Sequence, residues 1–329
     1  MRRRSVALLM LAAACGGSSV FTTTSVPPAT RSSTTTTTGV TSTTFAGTPS
    51  TKGQTTSTSS STTTSSSSST TTSSTSTTLP WTGNGVVAGN ICLLGWSHPG
   101  GWVDEFDAAD VPARAGDHYQ TILLDGPVGM AVGGPAEGFC EPLDLVNIPL
   151  DPSIAGPFGD VHAVAVGGNW ELRPQEVTSL ALGLPAYVDA TAELLTGHGI
   201  ADPDVQIRRV LRADLEGDGI DEVFIVAANV GVADPADVGD YAVVFMRKLI
   251  AGEVQTALLA HWFVTEPFPE DWIPFIDNYD IAAIADLNGD GKMEIVVQGN
   301  YYEGAFLTAF EYVNDDLGPV QVLGCGCGV

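Results

Sequence analysis

The chain has 329 residues, of which 38 are acidic and 13 basic, so its formal net charge is −25. Five of the basic residues and none of the acidic ones precede Trp81, so residues 81–329 carry a net charge of −30. Such an acidic surface repels phosphate backbones and anionic lipid headgroups, which excludes nucleic acid as a partner, and it attracts divalent cations.

The N-terminus has the pattern of an export signal. Residues 1–4 are positively charged, residues 5–14 are mostly apolar, and small residues stand immediately before Cys15. The apolar segment is too short to span a bilayer, which requires about 20 apolar residues. The pattern resembles a bacterial lipobox, which implies that residues 1–15 are a lipoprotein signal peptide and that a lipid on Cys15 anchors the protein on the extracellular face of the cell membrane. An ordinary secretory signal is the alternative, and it too exports the chain.

Residues 16–80 are predicted to form a disordered linker. The segment is dominated by Ser and Thr, has no acidic side chain and has few large apolar ones. It cannot bury enough apolar surface to offset the entropy lost on ordering its backbone. As a flexible coil it would have a root-mean-square span of roughly 45 Å. A plain spacer and an O-glycosylated stalk both fit this composition.

The composition of residues 81–329 is typical of a folded, mainly β domain. Short runs rich in β-branched and aromatic residues are separated by Gly, Pro, Asn or Asp, as in strands joined by turns. The length suits one all-β domain or two smaller ones. The predicted strands are residues 121–124, 128–132, 143–148, 161–166, 205–213, 222–228, 241–250, 254–264, 280–285, 294–298, 305–313 and 320–323.

One segment has the pattern of a short amphipathic helix. It begins at Pro185, places Val188, Ala192 and Leu195 on one stripe, and is followed by Gly197. Proline at the first helical position and glycine past the last are the usual boundaries of a helix. The predicted fold class is therefore mainly β with one short helix, with an α+β fold as the alternative.

Besides Cys15, the chain has four cysteines, Cys92, Cys140, Cys325 and Cys327. An even number in an exported domain predicts two disulfides. A bridge within the Cys-Gly-Cys segment would be strained by its tight loop, so the first two cysteines are expected to pair with the last two, in an order that the sequence leaves open. Bridges over such long loops stabilise by on the order of 4–5 kcal/mol each in the chain-entropy model. A soft-metal site or redox-active thiols are the alternatives.

Two acidic loops repeat one pattern. The segment ADLEGDGIDEV at residues 213–223 recurs 72 residues later as ADLNGDGKMEI at residues 285–295. Counting from the aspartate, oxygen-bearing side chains occupy loop positions one, three, five and nine, and glycine occupies positions four and six. The candidate ligands are Asp214, Glu216, Asp218 and Glu222 in the first loop and Asp286, Asn288, Asp290 and Glu294 in the second.

These oxygen donors suit Ca²⁺. Calcium takes six to eight oxygen ligands at about 2.3–2.6 Å, and alternating positions in a tight loop turn their donors toward a common centre. Gly219 and Gly291, at position six, let the backbone bend sharply. The bend allows the position-seven carbonyls of Ile220 and Lys292 to join the shell. The sequence therefore predicts a calcium site in each loop.

The pattern of a strand, this loop and a second strand resembles the calcium loops of FG-GAP and VCBS repeats, the integrin-α-type β-propeller family. An EF-hand is excluded, because its loop needs a glutamate at position twelve, where this chain has Ile225 and Val297. The resemblance implies two strand–calcium-loop–strand units, at about 205–264 and 279–329. A compact β-rich domain is expected, with a small or partial β-propeller as the alternative.

The predicted function is that of a lipid-anchored, calcium-binding module at the cell surface. A bound ion would cancel the repulsion within each acidic turn and add its binding free energy to folding, so calcium is expected to be structural. The module would serve adhesion, ligand binding or envelope structure, with a glycan or an envelope protein as its partner. No common catalytic motif is present, so an enzyme is not predicted.

An extracellular hydrolase or a carbohydrate-binding protein with a site near residues 96–107 is the alternative function. This stretch combines a histidine, two tryptophans and several acids. A solvated loop whose tryptophans pack on the sheet is the alternative structural interpretation. Further aromatic candidates to stack on a sugar or contact a partner protein are Tyr301 and Tyr302, expected beside the second loop, and Trp272.

Overall fold

The computed structural model describes residues 85–328, with gaps at 105, 125, 141–144, 155–162, 233 and 314–317. The predictions for the signal peptide at 1–15, for Cys15 and for the linker at 16–80 lie outside the described residues. The described residues form 18 strands and one helix. Their bounds are β1 Val86–Gly89, β2 Leu93–His98, β3 Gly101–Val103, β4 His118–Leu123, β5 Gly129–Gly133, β6 Glu137–Phe139, β7 Leu145–Asn147, β8 Leu150–Asp151, β9 Ala163–Val166, β10 Thr178–Ser179, α1 Pro185–Gly197, β11 Ile207–Ala213, β12 Glu222–Ala228, β13 Tyr241–Ile250, β14 Glu253–Phe263, β15 Asn278–Ala285, β16 Glu294–Tyr301, β17 Gly304–Tyr312 and β18 Pro319–Gly328.

The strands form three large antiparallel sheets. The first sheet has the strand order β3-β2-β1-β9-β4-β5-β8, the second β10-β11-β12-β13-β14 and the third β15-β16-β17-β18, while β6 and β7 make a separate pair. Strands β11–β14 and β15–β18 follow chain order, so each set is a four-stranded meander. The two meanders span residues 207–263 and 278–328, within a few residues of the units predicted at 205–264 and 279–329.

The third sheet lies between the other two. Side chains alternate along β16, so Ile295 and Val297 join the core that contains Phe224 of the second sheet. Val296, between them, joins the core that contains Val87 of the first sheet. Because both faces of the third sheet are buried, its strands are nearly continuous apolar runs, which is why β16 and β17 show little polar alternation in the sequence.

Separate elements cover the two outer faces of this stack. Helix α1 packs its Tyr187 and Leu195 on the second sheet. Loop residues such as Val111 and Ile148 cover the first sheet. In the described part of the chain the three sheets therefore pack face to face, with the third sheet in the middle. The prediction of a mainly β fold with one short helix is confirmed.

Helix α1 begins at the predicted Pro185 and ends at Gly197, two residues beyond the predicted end of its apolar stripe. Proline has no amide to leave unpaired in the first turn, which suits this position. At the other end the His198 amide donates to the carbonyls of Leu194 and Leu195. This helix, the one among the described residues, does not have the length and apolar character needed to cross a membrane.

Two disulfides connect the last strand to the first third of the domain. Cys92 pairs with Cys325 and Cys140 pairs with Cys327, each with a Cα–Cα distance of 6.0 Å. The predicted pairing of the first two cysteines with the last two is confirmed, and the structure decides the order that the sequence left open. Because alternate residues of β18 point to the same side, both cysteines of the Cys-Gly-Cys segment can reach partners in the same direction.

Candidate metal centre

The two acidic loops occupy equivalent places in the two meanders. The first loop, residues 214–221, connects β11 to β12, and the second loop, residues 286–293, connects β15 to β16. Position nine of the pattern, Glu222 or Glu294, is therefore the first residue of the second strand of each meander. The two loops are neighbours, because the Met293 amide donates a 2.9 Å hydrogen bond to the Leu215 carbonyl.

Carboxylates at positions one, five and nine organise the backbone of both loops in the same way. Position one accepts hydrogen bonds from the amides of positions four and six, at 2.7 and 2.8 Å in the first loop and 2.6 and 2.9 Å in the second. Position nine accepts from the amide of position two, at 2.8 and 2.7 Å. Position five accepts from the amide of position seven, at 2.8 Å in both loops. The two loops therefore share one conformation.

Glycine is required at position six of each loop. The φ angle is 86° at Gly219 and 88° at Gly291, a left-handed conformation that side chains with a Cβ rarely adopt. Position seven follows directly, and the amides of Ile220 and Lys292 donate to Asp218 and Asp290. The two residues predicted to contribute carbonyl oxygens are thereby fixed within the loop.

The acids of each loop run from the protein interior to the solvent. Glu222 and Glu294 are 0% and 1% exposed, and Asp286 is 2% exposed, whereas Asp218 and Asp290 are exposed. A buried carboxylate requires a compensating positive charge or a full set of hydrogen-bond donors. The two loops meet this requirement differently.

In the first loop, the ammonium of Lys248 compensates the acids. Lys248 lies on β13, is 3% exposed, forms an ion pair with Glu216, and places Nζ 3.2 Å from Glu222 Oε1. The same ammonium lies 4.4 Å from the centre of the Tyr312 ring. Burial alone would lower the pKa of Lys248, but the hydrogen bond with Glu216 and the charge of Glu222 raise it above its ordinary value. Lys248 is therefore charged and bound within the ligand set predicted for the first loop.

In the second loop, a further carboxylate takes the corresponding place. Glu311, on β17, brings a carboxylate oxygen to the same small region as Asp290 and Glu294, and the three oxygens lie within 4.8 Å of one another. Asn288, a predicted ligand, directs its amide nitrogen at Glu294 and lies 3.4 Å from Glu294 Oε1 as a hydrogen-bond donor. Glu311 also accepts a 3.0 Å hydrogen bond from the indole nitrogen of Trp102.

Burial and this concentration of negative charge raise the pKa values of the buried acids of the second loop. Burial raises the pKa of Glu294 well above its usual range, and the charges of Asp290, Asp286 and Glu311 raise it further against the hydrogen bond from the Leu287 amide. Burial also raises the pKa of Asp286, opposed by the amides of Gly289 and Gly291. A cation placed among these oxygens would stabilise their ionised forms.

The second loop fits a hard divalent ion. Oxygen ligands at up to about 2.6 Å from a calcium ion can lie at most about 5.2 Å apart across it, and the three converging carboxylate oxygens satisfy this limit. Asp290 is exposed, so water can complete the shell from the solvent side. Carboxylates are among the donor types that calcium prefers.

A cleft of about 510 Å³ opens beside the second loop and joins the two candidate sites of the sequence. The 96–107 stretch begins as a hairpin of β2 and β3, in which His98 pairs with Gly101. Trp96 and Trp102 are partly buried against the hydrophobic cores. The residues lining the cleft include His98, Trp102 and Trp170 on one side and Asn288, Asp290 and Glu311 on the other.

The cleft does not arrange His98 as a catalytic base. Its Nδ1 accepts a 3.0 Å hydrogen bond from the Gly100 amide, and no carboxylate among the described residues pairs with the ring. Trp102 and Trp170 are half-buried, and the indole nitrogen of Trp170 donates to the Asp286 carbonyl at 2.8 Å. Trp170 therefore supports the second loop and Trp102 supports Glu311 of β17, while both rings border the cleft.

The other aromatic candidates lie elsewhere. Tyr301 ends β16, a strand that begins at Glu294, so Tyr301 and Tyr302 lie at the far end of that strand from the second loop and the expected proximity is wrong. Tyr302 stacks on Phe275 with ring centres 4.7 Å apart. Trp272 is 57% exposed and lines a separate, shallow groove.

Lys248 and Glu311 are the functional residues that the sequence motif does not contain. Each lies on the third strand of its meander, beyond the loop and its two flanking strands. Their proximity to the loops depends on the register of a hairpin. An acid or a lysine near the end of the next predicted strand was the available signal.

Comparisons with protein-family models, with curated proteins and with solved structures found no match. The interpretation of the two loops therefore depends on their geometry in this chain.

Proposed function

We propose that this protein is an exported, lipid-anchored binding module whose second acidic loop holds a structural Ca²⁺ ion. The observation that carries the proposal is the convergence of Asp290, Glu294 and Glu311 oxygens within 4.8 Å, in a loop organised by Asp286. The motif that these loops share with FG-GAP and VCBS repeats supports calcium as the ion.

The location of the module is proposed from two features. The N-terminal pattern ending at Cys15 supports export and lipidation. The two disulfides are consistent with an oxidising environment such as the cell exterior. Calcium is abundant enough outside cells to saturate extracellular modules, whose dissociation constants are typically about 0.1–1 mM.

Calcium in the second loop would stabilise the fold. Glu294 lies in the central sheet, and the loop contacts both the first loop and Trp170, in the segment that follows β9 of the first sheet. An ion that binds only the folded state adds about 2.7 kcal/mol at a concentration 100 times its dissociation constant. For a domain of this size that corresponds to a rise in melting temperature of roughly 5–10 °C.

Calorimetry of the full chain, in chelator and in calcium at matched ionic strength, tests this proposal. We expect calcium to raise the melting temperature and Asp290→Asn to remove most of that rise. Asp271→Asn, an exposed aspartate away from the loops, is the matched control and should keep the rise. Identical melting curves in chelator and in calcium would refute a structural ion.

A carbohydrate is the second candidate for what this module binds, and the cleft favours it over hydrolysis. Two half-buried indole rings border the cleft beside the acidic second loop. Aromatic rings offer an apolar face on which a sugar ring can stack. Among the described residues, His98 pairs with a backbone amide and not with a carboxylate.

A glycan-binding screen of the full chain in calcium and in chelator tests this second candidate. Binding should require calcium and be weakened by Trp170→Ala, while Trp272→Ala, in the separate groove, should leave it unchanged. Binding that is lost with Trp272→Ala and kept with Trp170→Ala would exclude the cleft as the site.

A further inference from the structure

We propose that the residue facing position nine from the next strand decides whether each loop takes a metal ion. Glu311 recruits the ion in the second loop, and the ammonium of Lys248 replaces it in the first. The protein would then bind one calcium ion and not two. This inference rests on the proposed cation binding and assigns the ion to one of the two loops.

Strand register makes Lys248 and Glu311 equivalent. In the second sheet Val223 pairs with Arg247, so the preceding residue, Glu222, faces Lys248. In the third sheet Ile295 pairs with Phe310, so Glu294 faces Glu311 in the same manner. The two residues thus hold the same place in two meanders whose loops have the same conformation.

The first loop shows that this place is suited to a cation. Lys248 is almost completely buried, forms ion pairs with positions three and nine, and lies over the Tyr312 ring. The buried Oε1 of Glu222 lies 3.2 Å from Lys248 Nζ, so the ion pair with Lys248 is what compensates this carboxylate. A divalent ion at the same position would be repelled by the ammonium and would have to displace it.

The second loop has the opposite charge at the equivalent place. Glu311 adds a carboxylate to Asp290 and Glu294 where the first meander supplies an ammonium. Lys292, within the second loop, places its Nζ 3.9 Å from Glu216 of the first loop. The two loops therefore share one conformation but differ in charge. The first holds the ammonium of Lys248, and the second presents a set of carboxylates to which a free cation could bind.

Equilibrium dialysis of the full chain with radioactive calcium, which counts bound ions, tests the assignment. We expect one ion per wild-type chain. Asp290→Asn should abolish binding, and the matched change in the first loop, Asp218→Asn, should not alter it. Both aspartates are exposed, so neither substitution threatens folding.

Reciprocal substitutions at the facing position test it from the other side. Glu311→Lys should reduce the count from one ion to none, and Lys248→Glu should raise it to two. The added ion should disappear when Lys248→Glu is combined with Asp218→Asn. Circular dichroism of each variant shows whether it is folded, and the two aspartate variants decide the question if a facing-position variant is not.

The outcomes separate this inference from the proposal on which it rests. No bound calcium in the wild type would overturn both. Two ions in the wild type, one of them lost with Asp218→Asn, would overturn the inference and leave calcium binding intact. A single ion that is lost with Asp218→Asn and kept with Asp290→Asn would place it in the wrong loop and also overturn the inference.

Discussion

At the scale of single residues, each loop is held by side chains that bond to their own backbone. Position one gathers the amides of positions four and six, and position nine holds the amide of position two. Local bonds of this kind satisfy the backbone where no strand partner is available. They also orient the carboxylates, so the conformation depends on glycine at the positions where the chain turns left-handed.

Replacing Gly291 with alanine should destabilise the second loop. The residue has a φ of 88° with open space around a Cβ, so the cost is backbone strain of about 1–2 kcal/mol and not a steric clash. Urea denaturation measures the loss. Gly183→Ala is the control, because that glycine has ordinary φ and equally open space, and it should change the free energy of unfolding little. Equal effects of the two changes would contradict the assignment of strain.

At the scale of elements, the sequence predicts strands best where both faces of the sheet are buried. Strands β12 and β13 begin and end at the predicted residues, because apolar, β-branched runs bounded by turn residues leave little ambiguity. The sequence does not predict β1 and β2, since their apolar runs, VVA and LL, are short and each ends at a glycine. Their strand character comes from pairing within the first sheet and not from local preference.

The residues of the candidate site also divide into those that the local sequence predicts and those that depend on strand pairing. The loops and their eight candidate side chains could be identified from local spacing alone, as could the bend at position six. Lys248 and Glu311 could not, because the connection between the second and third strands is long in one meander, residues 229–240, and only two residues in the other, Tyr302 and Glu303. Because the two connections differ in length, the equivalence of Lys248 and Glu311 cannot be recognised from spacing along the chain. It depends on the pairing of the strands.

Asp277 contributes a pH dependence to the contact between the second and third sheets. Its carboxylate accepts hydrogen bonds from the Trp262 indole of β14, at 3.0 Å, and from the Tyr279 hydroxyl of β15, at 3.2 Å. Burial raises its pKa above the ordinary 3.8, against the two hydrogen bonds. The folded state therefore holds the proton more tightly than the unfolded chain does, so stability from this group is complete below pH 3.8 and falls as pH rises through the raised pKa.

Urea denaturation between pH 3 and pH 7, in chelator, measures this contribution. The wild type should lose stability as pH increases from about 4, whereas the Asp277→Asn side chain cannot lose a proton. The free energy of unfolding of Asp277→Asn relative to the wild type should therefore increase with pH. For the control Asp271→Asn, at an exposed position, the free energy of unfolding should depend on pH as it does for the wild type. A wild-type advantage that grows with pH would mean that the ionised carboxylate is favoured by the fold, contrary to this prediction.

At the scale of the whole molecule, an acidic chain is closed by covalent bonds between its distant parts. The first sheet contacts the third through a shared core. Cys92–Cys325 joins the connection between β1 and β2 to β18, and Cys140–Cys327 joins the residue after β6 to β18. The sequence separations are 233 and 187 residues. Cross-links over such distances restrict the unfolded chain strongly, which offsets the repulsion expected of a net charge of −25.

Removing one bridge should therefore cost a large part of the stability. For the paired change Cys92→Ser and Cys325→Ser we expect a loss of on the order of 4–5 kcal/mol in the chain-entropy model, measured as a lower urea midpoint. The same change at Cys140 and Cys327 is the comparison and should cost nearly as much. An unchanged midpoint for both pairs would mean that neither bridge restricts the unfolded chain as proposed.

The placement of the two bridges also determines what a protease can achieve. Both cross-links begin at or before Cys140 and end at or after Cys325. A single backbone cleavage anywhere in the long interval between those two residues leaves the pieces joined twice over. Digested protein would thus keep its full mass on a gel until a reducing agent is added.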